Sequence, residues 1–497
     1  VILAHDLGTT GNKATLVDAD GQLVDAVTEP YPVGFGPGGK AEQNPEDWWD
    51  AVCRASRRLA AVAAERGATI EGVSFSGQMM GAVAVGPDSR ALRPAMIWAD
   101  TRSVAQSASI LERIGLEDAY RITGHRINAT YTLSKIAWLR DNEPDVFART
   151  TRVLLPKDYI VARLTGVQVT DPSDASGTNA YDQATGTWSA EVLDAADLPL
   201  GLLPEIQPST TIAGLVTADA AVATGLPVGT PVVIGGGDGP MAALGAGIID
   251  RSSGAYAYLG SSSWVSIADE RPVHDPLMRS MTFNHVIPGM FVPTATMQAG
   301  GASLQWIVDV LSPTGPDRFA ELLEQAGRPA AMDGLFFLPH LLGERSPYWN
   351  PRARAAFVGL LMHHGRGNMV RAVLEGVAFN LLTGLTAFRE AGVEVGSVDT
   401  IGGASKSAAL LQIFADVWDV TVSARTMRDE ATSVGAAVVG GVGIGMFDDF
   451  SVAERWGRRD AAIAPDAEQR DGYRIRYEQF LDAYRRLEPW FESVSET

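Results

Sequence analysis

The chain has 497 residues, 46% hydrophobic and 20% charged, which is ample apolar surface for two or three cores and unlike the composition of a disordered segment. A formal net charge of -19 opposes a phosphate backbone or an anionic bilayer, so nucleic acid and membrane are excluded as expected partners. The single cysteine, Cys53, leaves no disulfide framework and no thiolate cluster for zinc or iron–sulfur chemistry; it is expected as a small buried residue on a helix.

In chain order, Val1-Ile2-Leu3-Ala4-His5-Asp6 is a short apolar strand ended by an acid. It lacks the basic start and long apolar core of a secretory signal, and no uninterrupted apolar run of about 20 residues follows, so a cytoplasmic location is expected. The turn Asp6-Leu7-Gly8-Thr9-Thr10-Gly11-Asn12-Lys13 then joins this strand to a second one at residues 14–17. Such a loop has the parts of a triphosphate cradle. Glycines admit backbone N–H groups close to phosphate oxygens, Thr9 and Thr10 add hydroxyls, Lys13 adds a point charge, and Asp6 can hold Mg2+ through water. The Walker spacing is absent, and taken alone the segment reads equally as an ordinary hairpin turn.

Further along, Trp48 and Trp49 open a helix and are expected to pack in the core or a lid. Residues 72–77 form a strand ending in glycine, residues 155–164 a helix, and the polar stretch Asp171-Pro172-Ser173-Asp174-Ala175-Ser176-Gly177-Thr178 is expected to be irregular. Val232-Val233-Ile234-Gly235-Gly236-Gly237-Asp238-Gly239-Pro240 is a buried strand running into a glycine turn, followed by a small-residue helix over residues 241–247. Three successive glycines are conformationally costly unless the backbone must turn sharply or admit a ligand. Asp238, presented at the strand end, is the natural general base for a hydroxyl attacking a phosphate, with helix capping as the plainer role.

The first hairpin recurs half a chain later, Leu7-Gly8-Thr9-Thr10 being matched by Leu259-Gly260-Ser261-Ser262, and residues 72–77 are matched by the strand and glycine turn at 398–403. Two facing turns of this kind can clamp the β- and γ-phosphates of a nucleotide, which favours the cradle reading of the first. The glycine turn at Gly402 and Gly403, with Ser407 just beyond it, offers side-chain-free backbone for adenosine, a simple tight turn being the plainer role, and Gln298-Ala299-Gly300-Gly301-Ala302 a further close-approach surface. The histidines show no metal-ligand spacing, and adjacent His363 and His364 are expected to point apart. Tyr473, Tyr477, Phe480, Leu481, Tyr484, Leu487 and Trp490 recur every three or four residues, predicting an amphipathic helix whose stripe is core.

Taken together, these segments resemble the FGGY family of carbohydrate kinases, of the actin, Hsp70 and hexokinase superfamily. The specific carriers are residues 6–13, Gly237-Asp238, residues 260–262 and 402–407, with Phe357-Val358-Gly359-Leu360 and the following Asn368-Met369-Val370-Arg371-Ala372-Val373-Leu374-Glu375-Gly376, and Thr132-Leu133-Ser134-Lys135 in the first half. Within the family, Leu154-Leu155-Pro156-Lys157-Asp158-Tyr159, Trp98-Ala99-Asp100-Thr101-Arg102 and Gly343-Glu344-Arg345-Ser346-Pro347 are most similar to the xylulokinase branch. That branch typically carries histidine where this chain has Met80 and asparagine where it has Gly239.

The resemblance implies an α/β fold of two ribonuclease H-like domains flanking a catalytic cleft, residues 1–246 binding sugar and 247–497 binding ATP. It implies ATP and Mg2+ as co-substrate and metal, and a small sugar or polyol as acceptor, D-xylulose or a related ketose first; a homodimer is left open. Asp238 is then the base and Asp6 the metal-side acid. Thr9, Thr10, Lys13, Gly260, Ser261, Ser262, Gly402, Gly403 and Ser407 serve ATP, while Gln78, Met79, Met80, Trp98, Asp100 and Asp238 border the sugar. His5, at a position usually apolar in the family, is expected to influence Asp6. A non-catalytic sugar sensor or a chaperone-like ATPase on the same fold is the rival; a Rossmann dehydrogenase lacks its glycine fingerprint.

Overall fold

The computed structural model describes residues 1–311, 318–326, 334–425, 430–456 and 459–494. Two sheets of like build carry the chain. In the first, strands β1 (Ile2–Leu7), β2 (Gly11–Val17), β3 (Leu23–Pro30), β4 (Gly72–Gly77), β5 (Ile212–Leu215), β6 (Pro231–Val233) and the short β7 (Gly236–Gly237) lie in the order β5-β6-β4-β1-β2-β3, with β7 also paired to β4. In the second, β8 (Ala255–Leu259), β9 (Ser263–Ile267), β10 (Met281–Asn284), β11 (Phe291–Met297), β12 (Ser397–Ile401) and β13 (Thr421–Ala424) run in the order β10-β11-β9-β8-β12-β13. Each sheet begins with an antiparallel hairpin, β1/β2 or β8/β9, whose first strand pairs in parallel with β4 or β12. The two correspondences read from the sequence are therefore the same two places in a repeated topology.

The local chemistry explains the elements. Strands β1 and β4 are buried on both faces, as strands inside a sheet covered by helices must be, and so read as runs of apolar and small residues. Helix α1 (Pro45–Glu65) starts where the Asn44 side chain accepts a hydrogen bond from the Glu46 N–H, with Pro45 at its first position and Glu46 and Asp47 in its first turn. Its buried face contains Trp48, Trp49 and the free thiol Cys53. Helix α2 (Pro156–Thr165) is followed by α3 (Pro172–Ser176), a short buried helix capped by Asp171, so the stretch expected to be irregular is ordered. Its reason lies underneath: the buried ammonium of Lys157 sits 3.0 Å from Asp171 and 3.4 Å from Asp174 and also pairs with Asp158, a charge cluster that the turn residues themselves complete.

Helix α4 (Asp238–Gly245) starts three residues earlier than the sequence suggests, taking Asp238 as its first residue. Helix α5 (Arg366–Glu390) is long and apolar enough to cross a membrane by composition alone, and 83% of its most apolar window is buried within the second core. Helix α6 (Ala408–Trp418) follows β12, and α7 (Ala431–Gly443) returns to the first sheet, where Val434, Val438 and Val439 pack with Ile2, Ala4 and Val233. Helices α4 and α7 cross at glycines: a β-carbon on Gly435 would come 2.1 Å from the Met241 carbonyl oxygen, and one on Gly245 would come 1.8 Å from that of Ala431. The C-terminal helix α8 (Arg470–Ser493) buries Tyr473, Phe480 and Tyr484 as its periodicity predicts, but Trp490 at its end is 55% exposed. His363 and His364 sit on a turn rather than on a helix or strand, and their rings approach to 4.4 Å instead of diverging.

Candidate active site

Asp238 stands where the glycine run delivers it. Gly235 has φ 77°, and a β-carbon there would lie 1.8 Å from the Phe75 carbonyl oxygen, so only glycine lets β6 turn into β7 against β4. The turn is pinned from below: the Gly237 N–H donates to Ser173 Oγ at 3.0 Å, and the Ser173 hydroxyl donates to Asp171, which pairs with Lys157. Burial, and then the negative charge of Asp6, push the Asp238 carboxyl from 3.8 up to about 7. Its exposed surface faces the cleft between the sheets, and one oxygen accepts the Gly239 N–H at 2.8 Å.

Two cavities meet at this carboxylate. The larger, 650 Å³, is bounded by Asp6, Gly8, Thr10, Lys13, Gly402 and Gly403 among others. The smaller, 270 Å³, is bounded by Met79, Met80, Trp98, Gly239, Gln298 and Arg345 among others. Asp238, Tyr258 and Trp264 line both. Tyr258 and Trp264 are direct partners across the β8/β9 ladder and stack with centroids 4.1 Å apart, forming a partition beside Asp238.

On the larger side, Asp6 receives a hydrogen bond from the Thr432 hydroxyl at 2.6 Å, while its Oδ1 is buried without a hydrogen-bond partner among the described residues. Burial raises its carboxyl above the usual range, with Thr432, Ser76 and the charge of Lys13 working the other way. Lys13 pairs with Glu430 at 3.6 Å.

The predicted residues divide as follows. Thr10, Lys13, Gly402 and Gly403 line the larger cavity with Asp6. Thr9 and Ser262, expected on ATP, line the smaller one instead, and the Trp98 indole N–H donates to Thr9 Oγ1 at 2.9 Å. Thr9 and Thr10 sit side by side in the turn between β1 and β2, and each lines a different cavity. The carbonyls of Gly260 and Ser261 accept the Gly301 and Ala302 N–H groups, locking that turn against the helix at Gly301–Leu311, where the close-approach glycines were expected. Ser261 itself is exposed and lines neither cavity.

Three of the predicted residues, Gln78, Asp100 and Ser407, stand outside both cavities. Gln78 is buried under the first turn, donating to Gln43 Oε1 at 2.8 Å, and borders neither cavity. Asp100 is buried, accepts the Ala41 N–H at 2.8 Å and pairs with Arg102 at 2.6 Å, which makes it a clamp for the loop behind the cavity. Ser407 caps α6 by accepting the Leu410 N–H. His5 likewise turns away from Asp6, as neighbours on a strand must, and its ring is bonded to Asn12 and Ser56 and stacked on Phe75; burial lowers its pKa to about 4. Met79 and Met80 do line the smaller cavity, and Met80 adopts φ 64° with its carbonyl held by Lys135 Nζ at 2.8 Å.

Glu430, Thr432, Tyr258 and Trp264 were not singled out from the sequence. For the aromatic pair a signal existed: the turn at residues 260–262 sets Tyr258 directly opposite Trp264. For Glu430 and Thr432 there was none, since their role depends on α7 crossing back to the first sheet.

Two like-built α/β domains around a cleft are the actin-like architecture of two-domain kinases. The chain belongs to the FGGY family of carbohydrate kinases: its N-terminal domain model matches residues 1–245 and its C-terminal domain model residues 255–444. It is 32% identical over 485 residues to the xylulose kinase of Bacillus subtilis (strain 168), covering 97% of this chain and 96% of that one. It is 29% identical over 510 residues to the gluconokinase of the same strain, covering 100% and 98%. The crystal structure of a ligand-bound xylulose kinase from Lactobacillus acidophilus superposes with a TM-score of 0.93 at 26% identity, covering 99% of each chain.

Proposed function

We propose that the protein transfers the γ-phosphoryl group of ATP to a hydroxyl of a small ketose, D-xylulose or a related sugar, with Asp238 as the general base. The observation that carries this reading is that Asp238 lies on the wall shared by the two cavities. A hydroxyl entering from the smaller cavity meets a carboxylate whose pKa, about 7, suits proton acceptance near neutral pH. As the oxygen–phosphorus bond forms and the bond to the ADP oxygen breaks, the hydroxyl proton passes to Asp238.

Thr10, Lys13 and the turn glycines are suited to hold the phosphates from the first domain, and Gly402 and Gly403 to lie against the nucleotide from the second. The unpartnered Oδ1 of Asp6 suits a water-bridged Mg2+ held mainly by nucleotide oxygens, in keeping with the absence of any cluster of three His, Cys, Asp or Glu ligands among the described residues. When bound, that ion neutralises phosphate charge. Closure of the two domains over the site would exclude water that would otherwise hydrolyse ATP.

The xylulose kinases among the relatives support a ketose as acceptor. D-Gluconate belongs in the same assay, given the gluconokinase relative and a buried Nη2 on Arg345 that has no hydrogen-bond partner among the described residues. The test is ADP release from Mg·ATP with a panel of ketoses, tetritols, pentitols and D-gluconate, run beside Asp238→Asn. Sugar-dependent turnover that the variant loses is expected; no turnover with any member would favour a binding sensor on this fold.

A further inference from the structure

Gly239 is a glycine that neither the backbone nor the packing requires. Its φ is not positive, and a β-carbon there would meet only Met79 Sδ, at 3.9 Å, an ordinary contact. It occupies the second position of α4, where glycine is a weaker helix former than almost any alternative. The space above it opens into the smaller cavity, next to the carboxylate of Asp238. What surrounds that space is apolar. Met79 is pressed over the Gly237–Gly239 backbone, since a β-carbon on Gly237 would come 2.7 Å from its Cγ and Sδ and one on Gly177 would come 2.8 Å from its Cε. Met80, Phe283, Met297 and the stacked Tyr258–Trp264 pair continue the wall.

On the second domain, Thr296 Oγ1 and Arg345 Nη2 in the cavity lining are buried and have no hydrogen-bond partner among the described residues, while Thr9 and Trp98 of the first domain are bonded to one another. A polyhydroxylated substrate can satisfy those groups with its distal hydroxyls. Beside Asp238 the Tyr256 hydroxyl is already engaged, donating to the Gly239 carbonyl at 3.2 Å and accepting the Trp264 indole N–H at 2.8 Å, so a hydroxyl placed against Met79 would lose its water without a full replacement.

Resting on the kinase reading above, we infer that Gly239, Met79 and Met80 form an apolar subsite that receives a methylene or a C-methyl group, rather than a hydroxyl, from the carbon next to the phosphorylated one, any hydroxyl on that carbon pointing away from it. The substrate class is a deoxy or C-methyl-branched ketose or polyol. An unsatisfied hydroxyl in such a subsite costs about ten- to a hundredfold in affinity, which sets the discrimination expected.

Matched probes read this directly: erythritol against butane-1,2,4-triol and 2-C-methylerythritol, and D-xylulose against 4-deoxy-xylulose. Affinity is measured by calorimetry on the intact protein without nucleotide, and kcat/KM by ADP release. The deoxy or branched member is expected to bind and react about tenfold or more better. Gly239→Asn, which places an amide in the free space, is expected to reverse that ratio, whereas Gly239→Ala fills volume without hydrogen bonds and is expected to weaken only the branched probe. Preference for the fully hydroxylated members, or a ratio unmoved by Gly239→Asn, overturns the subsite. Because calorimetry needs no turnover, binding selectivity without ADP release would sink the kinase reading and leave the subsite standing.

Discussion

Replacing Asp238 by asparagine separates two consequences of one burial. The wild-type carboxyl is pushed from 3.8 to about 7 by burial and by Asp6, so the folded protein holds its proton more tightly than the unfolded chain does. Stability from this group is therefore fully present below pH 4 and is lost as pH rises towards 7, where a charge must be kept in the cleft. At about 1.4 kcal/mol per pH unit the loss is capped near 4 kcal/mol, and water reaching this half-buried group from the cleft discounts it to about 1–2 kcal/mol. Asp238→Asn keeps the shape and removes the titration. Urea unfolding at pH 4.0 is expected to show near-equal stabilities, and at pH 8.0 the variant is expected to be more stable by that amount. Activity moves oppositely: removal of the base should cost about 10²–10⁴ in kcat, and wild-type kcat/KM should fall with unit slope as pH drops below about 7. A variant equally stable at both pH values relative to wild type, or one with full activity at pH 8.0, would refute the assignment of Asp238 as a strained, poised base.

Thr432→Val removes the hydrogen bond to Asp6, and with about 1 kcal/mol at stake the KM for ATP is expected to rise about fivefold with the sugar KM unchanged, by steady-state kinetics. Trp98→Phe frees the Thr9 hydroxyl and should do the converse, raising the sugar KM severalfold at constant ATP KM. Lys157→Met leaves Asp158, Asp171 and Asp174 buried without their cation and is expected to cost about 3–5 kcal/mol by urea unfolding, whereas removing an exposed partner such as Arg121 should leave the unfolding midpoint essentially unchanged.

Much of the fold was legible because it is written twice. A glycine-hydroxyl turn after an apolar strand is weak evidence once, but its recurrence half a chain later, each time with a parallel partner strand ending in glycine, is what the repeated sheet order expresses. The place of Asp238 at the mouth of the cleft was legible because three glycines before an acid have few structural uses; its role as base remains the proposal. The placing of Gln78 and Asp100 outside both cavities was not legible, because a motif does not report which way a side chain points; both are bonded to partners, Gln43 and Arg102. Thr432 could not be read at all, since it reaches Asp6 across 426 residues of chain by way of a helix that crosses between domains.

The same distinction bears on Met80. Its departure from the xylulokinase pattern reads in the sequence as a lost hydrogen-bonding side chain and nothing more. In the structure the residue also sits in the left-handed region, which costs a non-glycine residue about 1 kcal/mol or more unless its surroundings enforce it. The enforcing group is Lys135, wholly buried, its pKa lowered to about 7 by burial, and spending its hydrogen bonds on the carbonyls of Met80 and Thr130. The direction of the side chain at position 80, in the turn after β4, is therefore set by a buried amine on the helix Thr132–Asn142, independently of which side chain is there. Exchange of Met80 for histidine should then aim the imidazole into the cavity along the present thioether path, whereas Lys135→Met should release the carbonyl and move the wall whatever residue stands at 80. Selectivity on the sugar side thus has two separable determinants, the chemistry at Met80 and Gly239 and the backbone strain that points the first of them at the substrate.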